Sequence, residues 1–204
     1  DCRRALGAGA VLLQRTYRNN GAIAELAAAL RQGVCDLQPL LTGLSPQANL
    51  QWLQQAPPRL PDALLQRLRR HHQELQQLAE LGEPLPLLAA LERLLVLCPL
   101  RRGPWGVGAI HRALLGELTA RGAAHWPPGT PVLCPHNLEE LGLANGDLGV
   151  VVASQGEPRL LFCPAGEPLL LHPAQLPAAE PALALTVHKA QGSEADEVWV
   201  LLDP

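Results

Sequence analysis

Thr186-Val187-His188-Lys189-Ala190-Gln191-Gly192-Ser193-Glu194 concentrates more reactive side-chain types than any other stretch of this 204-residue chain, and it holds the only lysine. A hydroxyl, an imidazole, an ammonium and the backbone N–H groups of a glycine turn are the donors that meet phosphate oxygens. The same residues also make a solvated turn with Ser193 as a cap and Lys189 as a surface charge, and chemistry alone leaves both readings open. Ser193 lacks the strand–turn–helix context of a nucleophile elbow, so no hydrolase triad is expected.

Three other places carry candidates. Arg101 and Arg102 head a glycine-rich loop, "RRGPWGVG", directly after the apolar run "LLVLC". Guanidinium groups there could touch a nucleic-acid backbone or form a solvated charge pair. Trp105 in that loop could stack on a base, although a tryptophan among glycine and proline more often packs on its own loop. Tyr17, the only tyrosine, stands beside Arg18. His136, Asn137, Asn145 and Asp147 surround "NGD", which is turn chemistry before it is a binding signal. His71 and His72 are expected on the exposed side of an amphipathic helix, without partners at metal-ligand spacing.

The elements that must position these residues alternate. A short strand is expected at about 10–14, a turn at Asn19-Asn20-Gly21, and a helix over about 21–32 stopped by Gly33. Residues 34–61 contain several prolines and read as a connector with at most short helices. Leu64, Leu65, Leu68, Leu75 and Leu78 predict a helix over 62–82, with Asp62 as N-cap and Gly82 as stop. A short helix at about 85–92 leads into the strand "RLLVLC", whose continuous apolar character fits a sheet covered on both faces. After the glycine loop a helix over about 107–121 completes an α/β unit, the arrangement in which loops at strand C-termini bind ligands. From 131 to 176 the texture changes to short strands divided by turns, which reads as a small β-barrel. Residues 182–202 return to α/β.

Composition bounds the rest. Hydrophobic residues make up 48% of the chain, enough to fill a core. No apolar stretch is long enough for a membrane span and no signal-peptide pattern opens the chain, so a cytoplasmic protein is expected. A net charge of −3 gives no global attraction to nucleic acid. The five cysteines, at 2, 35, 98, 134 and 163, form no C-x-x-C pair and are expected to be reduced core residues. Methionine is absent, which leads to the expectation of a segment from a longer protein.

Four segments in order, "RTYRNNGAIAELAAALRQG", "LLVLCPLRRGPWGVGAIHRAL", "WPPGTPVLCPHNLEELGLANGDLGVVV" and "LTVHKAQGSEADEV", resemble conserved segments of the UvrD/RecD-like superfamily 1 DNA helicases. That group includes the α subunit of exodeoxyribonuclease V. The first segment is similar to the family's motif IV and the last to its motif V. The resemblance covers about half the residues and reaches both ends; it is weakest over 34–85, which reads as a helical insertion. It implies a RecA-like second motor domain of a P-loop helicase, residues 1–128 and 179–204, interrupted by a small SH3-like β-barrel at 129–178.

The resemblance also implies roles. Tyr17 would stack near the adenine of ATP, and Arg18 would reach the γ-phosphate as the catalytic cation, where a guanidinium fork suits a transferring phosphoryl group. Gly192 and Glu194 would lie toward the nucleotide. Thr186, His188, Lys189, Gln191, Asn137, Arg101 and Arg102 would face single-stranded DNA. The chain has no G-x-x-x-x-G-K-[ST] and no Walker B segment, so the Mg²⁺ ligands and the phosphate cradle would belong to a first motor domain. Alone, it is expected to be inactive. The expected parent is an ATP-dependent 5′–3′ helicase acting on DNA ends in recombinational repair with the β and γ subunits of exodeoxyribonuclease V. A stand-alone helicase of the same branch, or a non-catalytic interaction module descended from a motor domain, are the alternatives.

Overall fold

A computed structural model describes residues 20–54 and 59–202. The expected strand at 10–14, Cys2, Tyr17 and Arg18 lie outside them. The chain divides into two units, residues 1–55 and 56–204.

In the first unit, α1 (Gly21–Arg31) and α2 (Gln38–Thr42) are joined by a turn through Gly33, whose φ of +74° fits a residue without Cβ. Gly21 opens α1, and Asn49 Nδ2 donates to the Asn20 carbonyl at 2.8 Å to close the connector back on that helix start. Neither helix buries a residue.

The second unit contains two sheets. Helix α3 (Asp62–Leu81) and helix α4 (Pro84–Leu91) precede strand β1 (Leu94–Cys98) and helix α5 (Val107–Leu115). Strands β2 (Pro131–Leu133), β3 (Leu148–Ser154), β4 (Glu157–Phe162), β5 (Leu169–Leu171) and β6 (Glu180–Pro181) make an antiparallel sheet in the order β5-β4-β3-β2-β6. Strands β7 (Leu185–Thr186) and β8 (Glu197–Val200) flank β1 in a parallel sheet, order β7-β1-β8. Mixed α/β architecture agrees with the sequence reading. The expected closed barrel does not: among the described residues β5 and β6 are unpaired edges, so the antiparallel sheet is open.

Helix α3 serves both sheets. Its N-terminal half places Leu64 and Leu68 against Val96, Cys98 and Ile110 over the parallel sheet. Its C-terminal half places Leu75 and Ala79 against Val150, Val152 and Leu161 of the antiparallel sheet. The other face of that sheet buries Val132, Val151, Leu160 and Phe162 under Trp126. This explains why "GVVV" in β3 is apolar without alternation: both of its faces are covered.

The histidine expectation is overturned by the same packing. His71 and His72 are buried, at 4% and 8% exposure, because 64, 68, 71/72, 75 and 79 form one stripe of α3. The Thr130 hydroxyl donates to the Pro127 carbonyl at 2.7 Å, which leaves its oxygen to accept from His72 Nε2, 3.4 Å away. Burial lowers the pKa of His72. His71 is lowered mainly by burial and then by Arg67, and its Nδ1 has no hydrogen-bond partner.

Smaller differences have local causes. Asp62 is the first helical residue, with Pro61 at the cap position, so its carboxylate meets the helix dipole rather than capping a backbone N–H. Gly82 ends α3 in the left-handed region, φ +72°, as expected. Helix α5 stops at Leu115 and the chain continues as a 3₁₀ segment, Gly116–Ala120, because Gly116 (φ +56°) breaks the α ladder. Cys98 and Cys134 are buried and free, whereas Cys35 is exposed and Cys163 half-buried, which corrects the expectation for those two.

Gly129, just before β2, lies against the backbone of α3 at Leu75 and Gln76. A Cβ there would lie 2.5 Å from Gln76 N, and its φ is +82°. Gly129→Ala is therefore expected to destabilise the fold by about 2 kcal/mol or more through overpacking and backbone strain. Urea unfolding of the variant beside the parent checks this, and an unchanged midpoint would refute the contact.

Candidate nucleic-acid interface

Parallel pairing sets the site. Cys98 of β1 and Thr186 of β7 are register partners, so the Arg101-Arg102 loop and the 186–193 loop leave the same end of the sheet. Strand C-termini in open α/β sheets are where ligands are met. Only residues 182–184 separate β6 in one sheet from β7 in the other. Ala182 N–H donates to the Pro131 carbonyl at 2.8 Å, and Leu133, Leu185 and Ala190 form a small buried cluster under the loop.

The loop itself consists of two successive turns. Lys189 N–H and Ala190 N–H both donate to the Thr186 carbonyl, at 2.9 and 3.2 Å, and Ser193 N–H donates to the Ala190 carbonyl at 3.0 Å. Gly192 adopts φ +91°, which explains the glycine without invoking a ligand. His188, Gln191, Gly192, Ser193 and Glu194 are exposed, Thr186 and Lys189 half-buried. A polar cleft of about 400 Å³ opens between this loop and the Asn145-Gly146-Asp147 turn, with His188, Lys189 and Gln191 on its loop side.

That turn is closed by its own groups. Ala144 N–H donates to Asp147 Oδ2 and Asn145 N–H to Asn137 Oδ1, both at 2.8 Å. Gly146 N–H donates to the Cys134 carbonyl at 2.8 Å. Asn137, expected toward DNA, thus has its amide oxygen engaged in shaping the turn, while the residue itself is exposed. Lys189 Nζ donates across the cleft to Asn145 Oδ1 at 2.6 Å and to the Pro135 carbonyl at 3.3 Å.

The arginine loop is anchored too. Arg101 Nη2 donates to both Glu180 carboxylate oxygens, at 2.7 and 3.0 Å, while Arg102 is exposed. Exposed pairs of this kind contribute little to stability, but this one joins the loop to β6 where the chain passes between sheets. Trp105 does not pack on its own loop as expected but is buried, 7% exposed, in the core with Leu64, Leu68, Val96 and Ile110, and its indole N–H donates to the Arg59 carbonyl at 2.9 Å. Gly106 approaches the Arg102 backbone so closely that a Cβ would lie 2.7 Å from it. Base stacking by Trp105 is thereby ruled out in this conformation.

Glu180 and His111 are participants that the sequence did not disclose, and Asn145, read there as turn chemistry first, also accepts from Lys189. His111 in α5 is buried, and its Nε2 lies 3.2 Å from the Ala184 carbonyl, one residue before β7. Its sequence signal was its place beside Ile110 on the inward face of α5, where a histidine reads as surface only if periodicity is ignored. Burial drives its pKa down to about 4, against the opposing effects of the Ala184 hydrogen bond and Glu180. On β8, burial would raise the Glu197 carboxyl, but the Trp199 N–H and Arg67 outweigh it and hold it low. Among the described residues no group of three or more His, Cys, Asp or Glu side chains could hold a metal ion.

No protein-family profile matches the chain. Curated proteins do. It is 35% identical over 207 residues to the RecBCD enzyme subunit RecD of Mycolicibacterium smegmatis, which covers 99% of this chain and 36% of that protein. It is 34% identical over 200 residues to the RecBCD enzyme subunit RecD of Mycobacterium tuberculosis, covering 93% of this chain and 33% of that one. The chain therefore spans about a third of the length of the relatives it matches.

A buried histidine with a lowered pKa binds its proton more weakly in the fold than in the unfolded chain. His111, His71 and His72 should thus each contribute stability that is complete above about pH 6.5 and lost as pH falls; for His111 the loss extends down to about pH 4. Denaturation midpoints between pH 7.5 and 4.5 should fall with acid, and less steeply in His111→Gln.

Proposed function

The chain belongs to the RecD family, and on that premise we propose that it is the second motor domain of an ATP-dependent DNA helicase subunit acting at DNA ends with nuclease-complex partners. Residues 1–128 and 179–204 make the motor domain in this reading, with 34–85 as its insertion, and 129–178 are the counterpart of the family's SH3-like insertion, here an open sheet. The observation that carries the proposal is the placement of the Arg101-Arg102 and 186–193 loops at one end of β1 and β7, in a chain aligned with RecD over nearly its whole length.

Within that reading the loop residues divide by position. Thr186, His188 and Gln191 with Arg102 present donors to a single strand's phosphates, and Asn137 borders its path. Gly192 and Glu194 follow in the same loop and lie toward the nucleotide, so that a shift in one half of the loop moves the other. Tyr17 and Arg18 would supply the adenine platform and the cation at the γ-phosphate. ATP with Mg²⁺ provides phosphoryl transfer, and the residues of this chain sense it and pass the change to the strand-gripping loop.

The full-length parent protein should show ATPase activity stimulated by single-stranded DNA. Arg18→Ala should lower the stimulated rate by about 10³-fold, the effect of removing a transition-state arginine. His188→Ala should weaken activation by DNA by about tenfold, equivalent to one lost phosphate contact of about 1.4 kcal/mol. Absence of hydrolysis in well-folded parent protein would refute the motor and favour an interaction module.

A further inference from the structure

We propose that Lys189 is a positioning residue that braces the 186–193 loop against the turn at 144–147, rather than a contact to a nucleic-acid phosphate. Two of its three N–H donors are satisfied by neutral oxygens, Asn145 Oδ1 at 2.6 Å and the Pro135 carbonyl at 3.3 Å. Its neighbours His188 and Gln191 are exposed, while Lys189 is half-buried between the two walls of the cleft.

Both ends of the brace are fixed before the lysine joins them. On the acceptor side, Pro135 is buried and the turn is closed by Asn137, Asp147 and the Cys134 carbonyl. On the donor side, Lys189 N–H is bonded to the Thr186 carbonyl and the next residue, Ala190, is buried with Leu133 and Leu185. Joining two preformed loops costs little beyond the rotamer freedom of the lysine stem. The bond therefore holds the loop in one position relative to the antiparallel sheet.

Residue type supports the same assignment. Every other permanent cation in the chain is arginine. A planar guanidinium matches carboxylate and phosphate in a fork, whereas a compact ammonium can converge on one carboxamide and one carbonyl oxygen from different directions. The acceptors at 135 and 145 are of the second kind. A lysine directed at phosphate would instead leave its donors in solvent, and its loss would remove one released counterion from the binding equilibrium.

The functional consequence rests on the single-stranded-DNA reading above; the brace itself does not. The test uses the full-length parent with Lys189→Met, Asn145→Ala and the double variant, measuring affinity for an oligothymidylate across a salt series. Each single variant should weaken binding by a similar factor, about fivefold for one lost hydrogen bond. The double variant should be no weaker than either, and the slope of log Kd against log salt should stay unchanged. Weakening by Lys189→Met alone, with the slope reduced by about one and Asn145→Ala neutral, would overturn the proposal in favour of direct phosphate contact. Amide hydrogen exchange on the same proteins decides the matter independently of DNA. Faster exchange at Lys189, Ala190 and Gly146 in both single variants supports the brace, and unchanged exchange refutes it. If the parent binds no oligothymidylate, the helicase reading fails and exchange alone judges the brace.

Discussion

Packing of two sheets onto the single helix Asp62–Leu81 is the constraint from which the rest of the second unit follows. A twenty-residue helix is about 30 Å long at 1.5 Å per residue, long enough for Leu64 and Leu68 to cover one sheet while Leu75 and Ala79 cover the other. Leu87, Ala90 and Leu91 of α4 share the antiparallel face with it, and Trp105 and Ile110 share the parallel one, but of the described helices only this one reaches both. Among the described residues the parallel sheet has three strands and both sheets have unpaired edges, and a small sheet becomes stable only when packed against a further layer. The helix therefore fixes the relation between them, with Gly129 permitting the approach and the Arg67–Glu197 bond pinning the helix to β8.

The site inherits its geometry from that frame. Its loops lie at one end of the parallel sheet, but its cleft is completed by a turn of the antiparallel sheet, so neither sheet holds the full set of groups. Arg101–Glu180 and His111–Ala184 secure the two ends of the short passage between sheets, one by an exposed ion pair and one by a buried hydrogen bond. Polar groups thus take the work of alignment at the place where the chain has too few residues to build an apolar core of its own.

Much of this was legible in the sequence because local signals and tertiary packing agree. The helix ending at Gly82, the strand "LLVLC", the glycine loop after it and the turn at Asn145-Gly146 all have punctuation that matches their structure. His71 and His72 were misread because residue type was weighed over position: a stripe at 64, 68, 75 and 79 includes 71 and 72 whatever occupies them. Barrel closure was illegible because it depends on whether two distant edges meet, which short alternating strands do not encode. The partners of Lys189 were hidden for a similar reason. Asn145 is 44 residues away, and its turn-forming type conceals the acceptor it offers.

The passage at residues 182–184 has a mechanical meaning. A fully extended chain spans at most about 3.6 Å per residue, so three residues hold no reserve length beyond about 11 Å. If the antiparallel sheet were drawn away from the parallel one, the strain would fall on the two-residue pairings at either end of the passage, Val132–Pro181 and Leu133–Glu180 of β6, and Leu97–Leu185 and Cys98–Thr186 of β7. A load applied to residues 131–181 would reach β7 through this passage, and wherever β7 slipped the loop that follows it would move like the free end of a lever with a two-residue fulcrum.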